Sequence, residues 1–243
     1  MKTGQTRVKR HLVFACCLFC LGLARPIGFT AVPAVAAFFL LKRQWKDLAL
    51  AVTFFATVFL FYEAVTFLIS SPAAMQGSEA LKGLMSRNYY KPALGHETAT
   101  GFLQRFMVNS DFYISKSFYS ILGLRSTEPS GEVYPLLTLA TAAVIILSVI
   151  LSYRRNSYLL FTGIYSVITL SVIFFIAHTM WMQDRFIIPY ASLVILLLLA
   201  AFYYLFSLKG KADYRILVTV LVAGLFASSL KVTADKVKDT RKI

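Results

Sequence analysis

Apolar residues along this chain gather into blocks, 11–24, 27–41, 47–70, 134–152, 158–177, 186–208 and 214–230, separated by short polar segments and one long one. Blocks of near-bilayer length are the signature of membrane helices, because hydrocarbon leaves the backbone no hydrogen-bond partner outside its own helix. The pattern predicts an all-α fold, a polytopic transmembrane helical bundle forming a single transmembrane domain over 1–243. At about 1.5 Å of rise per residue, the first two blocks are short for independent crossings. Arg25-Pro26 joins them, and both far ends are basic: Lys2, Arg7, Lys9 and Arg10 on one side, Lys42, Arg43 and Lys46 on the other. The excess of cations on cytoplasmic segments therefore predicts a short N-terminal helical hairpin over 11–41, with both ends inside. Pro26 suits the first turn of its second arm, where a missing N–H costs nothing. A signal peptide cleaved after Ala24 is the competing reading, but apolar sequence resumes at Ile27 and favours a retained hairpin.

From that anchor the remaining blocks alternate. Block 47–70 runs outward, 71–133 forms one large outer loop, and 134–152 returns to the basic Arg154-Arg155 turn. Block 158–177 goes out, 186–208 returns to Lys209, Lys211 and Arg215, and 214–230 exits. The basic tail 231–243 then falls outside, against the same charge rule. Within the outer loop, Phe102, Phe106, Met107, Tyr113, Ile114, Phe118, Ile121 and Leu122 recur near helical spacing over 99–124. This spacing predicts either an interfacial helix exposing Arg105, Asp111 and Lys116, or a helix packed against the spans.

Composition sharpens the picture. The chain is 58% hydrophobic and only 15% charged, against roughly a quarter charged in soluble domains. The formal charge of +14 sits in short segments between apolar blocks, where it serves topology and lipid phosphate; no continuous stripe suggests nucleic acid. Cys16, Cys17 and Cys20 all lie inside the first block, with no second pair or histidine cluster to complete a metal site. Neither a metal nor a cofactor is expected.

Ionisable groups within or beside apolar blocks are costly and so carry information. Arg25 lies at the hairpin tip and Glu63 in the outer third of block 47–70. They could form a charge pair, or Arg25 could instead face a lipid phosphate. His178, Asp184 and Arg185 bring titratable groups to a short outer turn flanked by Trp181 and Tyr190, which is either a polar turn anchored by aromatics or an anionic headgroup site. Arg87-Asn88-Tyr89-Tyr90-Lys91-Pro92, followed by His96-Glu97, combines aromatic and basic groups suited to sugar stacking and phosphate contact, or is an ordinary loop. There is no G-x-S-x-G, H-E-x-x-H or phosphate-cradling glycine loop.

At these residues the chain resembles the polytopic GT-C glycosyltransferases, the bacterial protein-mannosyltransferase-like and aminoarabinose-transferase-like families in particular. Arg25-Pro26-Ile27-Gly28-Phe29 with Pro33-Ala34 and Leu41-Lys42-Arg43 is similar to their mid-chain "R-P-x-G … P" segment. Arg185-Phe186-Ile187-Ile188-Pro189-Tyr190, preceded by His178, is similar to their "H … R-[FY]-x-x-P" turn. The resemblance covers most of the chain, through short motifs of common residues. It implies transfer of a sugar from a polyprenyl-phosphate carrier to an acceptor on the outer face of a bacterial inner (plasma) membrane. Arg25 and Arg185 would be carrier-phosphate ligands, with His178, Asp184, Glu63, Tyr89 and Tyr90 as further substrate-binding candidates. Such transfer needs an acidic group to activate the acceptor and cations to stabilise the leaving phosphate. The family's acidic residue sits in a first outer loop, and no such loop precedes Arg25 here; the chain looks like the C-terminal portion of such an enzyme, and its catalytic residues are unassigned. Rival readings are a non-catalytic membrane subunit or scaffold that binds a partner through its outer loop, and a polysaccharide polymerase or ligase.

Overall fold

The computed structural model describes residues 2–69, 83–124, 133–181 and 183–208, with 219, 222–224, 226–227 and 230. Most of block 214–230, the tail 231–243 and the two ends of the 71–133 loop lie outside the described residues. The chain forms two compact units, residues 1–98 with Val167–Ile173, and Ala99–Ser166 with the chain from Phe174 onward. Among the described residues the regular structure is helical. Four helices are long and apolar enough to cross a membrane, Trp45–Ile69, Pro135–Ser152, Ser157–Ile176 and Ile188–Leu205. The chain is an integral membrane protein.

In the first unit, α1 (Lys2–Ala24) stops before a proline that has no N–H to donate to the next helical hydrogen bond. Arg25 is held extended at φ −149° and ψ 124°, as the residue before proline must be, and a 3₁₀ turn over Pro26–Thr30 leads into α2 (Ala31–Leu41). The turn is tight because Gly28 lies against the Leu21 carbonyl, and its N–H donates to the Arg25 carbonyl at 2.7 Å. The far ends of α1 and α2 meet again. The His11 ring lies 6.3 Å from that of Phe39, and His11 Nε2 is 2.8 Å from Asp47 Oδ1 at the start of α3 (Trp45–Ile69). The tight turn expected at Arg25-Pro26 is therefore present, and α3 packs against both of the helices it joins. Phe19 of α1 anchors this packing through edge contacts with Phe55, Phe59 and Tyr62, the last at 5.1 Å. At the tip, Thr30 shares a buried hydrogen bond of 2.7 Å with Thr169.

The α2–α3 turn has a signature of its own. Arg43 N–H donates to the Leu40 carbonyl and Gln44 N–H to that of Phe39, at 3.0 and 2.9 Å, which is the paired bonding of a Schellman C-cap. The left-handed position of that motif, normally glycine, is occupied by Arg43 at φ 55°. A side chain there costs about 1 kcal/mol.

In the second unit, α4 (Ala99–Ser110) passes without a break into a π-helical segment, Asp111–Phe118, and a last turn at Tyr119–Ile121. The span α5 (Pro135–Ser152) starts with Pro135 in its first turn. Span α6 (Ser157–Ile176) is capped by Asn156, whose Oδ1 accepts the N–H groups of Tyr158 and Leu159 at 2.9 and 3.2 Å. Span α7 (Ile188–Leu208) packs on α5. The α5 helix buries Thr138, Thr141, Ile145, Ser148 and Ser152, and such small side chains let membrane helices approach closely.

Two of the three charges expected to face outward from 99–124, Arg105 and Lys116, are buried instead. Arg105 is 4% exposed and Lys116 9%, and the π segment packs against α5 and the 179–186 turn. Each cation lies over a ring of its own helix, Arg105 over Phe102 and Lys116 over Phe112.

The side of the membrane reached by each turn can be read with cysteine labelling. Ala93 and Arg154 are exposed positions in segments expected on opposite faces. With Cys16, Cys17 and Cys20 replaced, Ala93→Cys should react with a membrane-impermeant thiol reagent from outside, and Arg154→Cys only after permeabilisation. The reverse pattern would invert the layout.

Candidate functional site

In the second unit the chemistry converges on the turn between α6 and α7. The α6 helix ends at Ile176 and leaves carbonyls with no intrahelical partner. The Asn109 amide, on a residue only 1% exposed, fills two of them, donating to the carbonyls of Phe174 at 2.9 Å and Ala177 at 2.7 Å. Asn109 thus fixes where α6 stops and the turn begins. Phe106, one turn earlier on α4, adds contacts with the rings of Phe174 at 5.7 Å and Phe175 at 4.7 Å.

The turn comprises two 3₁₀ stretches, Thr179–Trp181 and Asp184–Phe186. An aromatic chain supports it from within. His178 lies edge-on to Trp181 at 5.0 Å, and Trp181 stacks on Phe186 at 6.1 Å and 22°. Phe186 in turn meets Tyr113 of the π segment edge-on at 6.3 Å. A polar tie completes the support, for the Ser117 hydroxyl donates to Asp184 Oδ1. The π segment therefore holds the turn at two points, Tyr113 and Ser117. Widened helical turns of this kind recur at functional sites, where they re-aim side chains that an α-helix would place elsewhere.

The environment of Tyr113 moves its ionisation. Burial pushes its phenol up to about 12, and the Asp184 charge adds to the effect. The Gln183 backbone amide and the Arg185 charge oppose it. The amide lies outside good hydrogen-bonding geometry, so the buried hydroxyl has no partner among the described residues. Tyr113 is consequently a neutral packing residue at physiological pH. Its raised pKa favours the folded state below about pH 10, and that contribution fades as the pH climbs toward 12.

Against this framework the candidate residues separate. Arg185 is exposed, with its guanidinium 5.3 Å from the Phe186 ring centroid. Asp184 serves the scaffold, as the acceptor for Ser117. His178 is only 2% exposed and packs against Trp181, supporting the turn from inside. Tyr190 is likewise buried, tilted against Tyr165 at 6.3 Å, and does not form the interfacial belt expected of it.

The other candidates belong to the first unit. Arg25 and Glu63 are both exposed, and among the described residues no ion pair joins them. The charge pair considered from sequence is therefore not formed. Tyr89 and Tyr90 lie in a loop closed by an antiparallel bridge between Ser86 and His96, with Arg87 N–H donating to the Gly95 carbonyl at 2.9 Å. Tyr89 is half-buried over Gly83, whereas Tyr90 is 70% exposed and meets Tyr89 edge-on at 5.4 Å. Asn88 Oδ1 accepts the Tyr90 N–H and sets that turn. Only Tyr90 presents a full ring face for stacking.

Sequence reasoning missed Asn109, Ser117 and Tyr113 as the groups that build the turn. A polar Asn on the same helical line as Arg105 was the available signal, since buried polar side chains must find partners. Comparison with known proteins adds nothing to this geometry: no family model, no curated protein and no solved structure matches the chain.

Proposed function

We propose that the α6–α7 turn receives the phosphate of a polyprenyl-phosphate carrier on Arg185, and that the protein takes part in transferring a sugar from that carrier to an acceptor. The single observation that carries this reading is an exposed guanidinium on a turn whose backbone is fixed from behind by Ser117, Asn109 and the Trp181–Phe186–Tyr113 ring chain. Such support lowers the cost of ordering a ligand group on binding. A guanidinium grips two phosphate oxygens through parallel N–H bonds. In the transfer, an acceptor oxygen bonds to the anomeric carbon as the bond from that carbon to the phosphate oxygen breaks. The carrier phosphate leaves with the negative charge, and Arg185 stabilises it there. No residue is assigned to activate the acceptor. The resemblance at Arg185–Tyr190 supports the same reading.

The test is binding of a short-chain polyprenyl phosphate to the purified full chain in detergent at fixed salt. Arg185→Lys should weaken it about tenfold or more, at least about 1.4 kcal/mol, because the point charge of lysine cannot reproduce the fork. Thermal stability should stay unchanged, since the side chain is exposed. Equal affinities would remove Arg185 from the site.

A second reading, a membrane subunit that binds a partner, is favoured by α3. Little of it is buried, and Glu63 is exposed along with Phe61, Phe67 and Leu68. A carboxylate about 27 Å along a span from its first residue is costly against lipid. A neighbouring helix bearing a cation would remove that cost.

A further inference from the structure

We infer that the end of the hairpin around the α2–α3 turn binds the phosphate headgroup of an anionic phospholipid, with Arg43 as its principal ligand.

The argument starts from the backbone. The Schellman cap that ends α2 needs one residue in the left-handed region, and glycine fills such a position without strain. Here it holds Arg43 at φ 55°, so the fold carries a conformational cost that glycine would remove. Strained positions of this kind persist where the side chain has a use. The strained conformation holds an exposed guanidinium at the very corner of the turn.

Its surroundings are basic through tertiary structure as well as sequence. His11 and Asp47, separated by 36 residues, meet at 2.8 Å. That contact brings the Lys9-Arg10 end of α1 to the same end of the hairpin as Arg43 and Lys46, and all four cations are exposed. Clusters of several Lys and Arg residues at a membrane surface attract anionic lipid, and each cation contributes independently. The apolar neighbours decide between a lipid and a free anion. Leu40, Leu41 and Trp45 are all exposed beside the cations, Trp45 to 62%. An indole at this level sits at the headgroup boundary, with the leucines toward the acyl chains. A free phosphate would have no use for them. The site is independent of the α6–α7 turn, so it stands or falls separately from the carrier reading.

Trp45 provides a local probe. The full chain is placed in nanodiscs of phosphatidylcholine containing a minor fraction of brominated phosphatidylglycerol, or the same fraction of brominated phosphatidylcholine. Tryptophan quenching reports which lipid occupies the site. The brominated anionic lipid should quench several-fold more effectively, and Trp45→Phe should abolish that difference. Arg43→Gly should lower the preference by about fivefold, one cation's contribution. Because it removes the left-handed strain, it should also melt at the same or a higher temperature, so the loss cannot be ascribed to misfolding. Arg43→Lys should retain part of the preference. Inorganic phosphate should leave the quenching unchanged. Equal quenching by the two lipids, an undiminished preference in Arg43→Gly, or suppression by inorganic phosphate would each overturn the proposal.

Discussion

Gly28→Ala is expected to destabilise the first unit by about 3 kcal/mol, the upper end of what inserting a methyl group into a packed site costs. A Cβ at this position would overlap the Leu21 carbonyl oxygen and stand 2.8 Å from its carbon. These are backbone atoms of α1, held by the helix, so no side-chain rotation relieves the clash. Gly28 has no left-handed backbone angle; what it supplies is space for the 3₁₀ turn to fold against the end of α1. Loss of the turn would separate α1 from α2 and disturb the His11–Asp47 contact at the opposite end. Gly22→Ala is the informative control. The atoms nearest its new methyl all belong to the ring of Phe29, a side chain that can shift, so the loss should be smaller. Both variants can be compared with wild type by thermal unfolding in detergent. Equal effects, or none at Gly28, would show that the hairpin tip is looser than described.

Asn109→Ala should cost a comparable amount, about 3 kcal/mol. The amide satisfies two buried carbonyls at the end of α6, at 2.9 and 2.7 Å. Truncation removes both hydrogen bonds and leaves the acceptors unpaired away from water, at about 1–3 kcal/mol each. The effect should not be confined to stability. Asn109 sets the point where α6 gives way to the turn, so the variant should also weaken carrier binding, although it touches no ligand. Met107→Ala, two residues earlier and largely exposed, should change stability by no more than about 0.5 kcal/mol. Unfolding and polyprenyl-phosphate binding, measured on the same preparations, check both statements. A stable Asn109→Ala would mean that the α6 terminus finds other partners.

The spans were legible in sequence because their signal is one-dimensional. Blocks 47–70, 134–152 and 158–177 coincide closely with helices Trp45–Ile69, Pro135–Ser152 and Ser157–Ile176. Pro26 announced the hairpin tip for the same reason, since a missing N–H and a fixed φ act locally. The segment 99–124 was harder. A periodicity argument assumes a constant twist, and the π-helical turns of Asp111–Phe118 are wider than α-helical ones. From Phe112 to Phe118 every residue is buried, so Tyr113, Ile114 and Phe118 lie inside as expected and Lys116, expected on the solvent face, lies inside with them. For His178 the sequence shows a histidine beside a polar turn, but not the Trp181 ring that it packs against. Arg43 gave no sign in sequence of its left-handed backbone, because the cap depends on how α2 ends. Arg185 is the candidate whose place on the turn survives in structure as an accessible cation.

That arginine, and the carrier phosphate proposed for it, can be tested in the wild-type chain without any substitution. Purified protein in detergent is titrated with a short-chain polyprenyl phosphate and, separately, with the polyprenol of the same length, each bearing a photoreactive group near its head. The phosphate should bind at least about tenfold more tightly, a difference of about 1.4 kcal/mol, and its crosslinks should fall on the 178–190 turn. Equal affinity for the alcohol, or crosslinks that avoid that turn, would contradict the account.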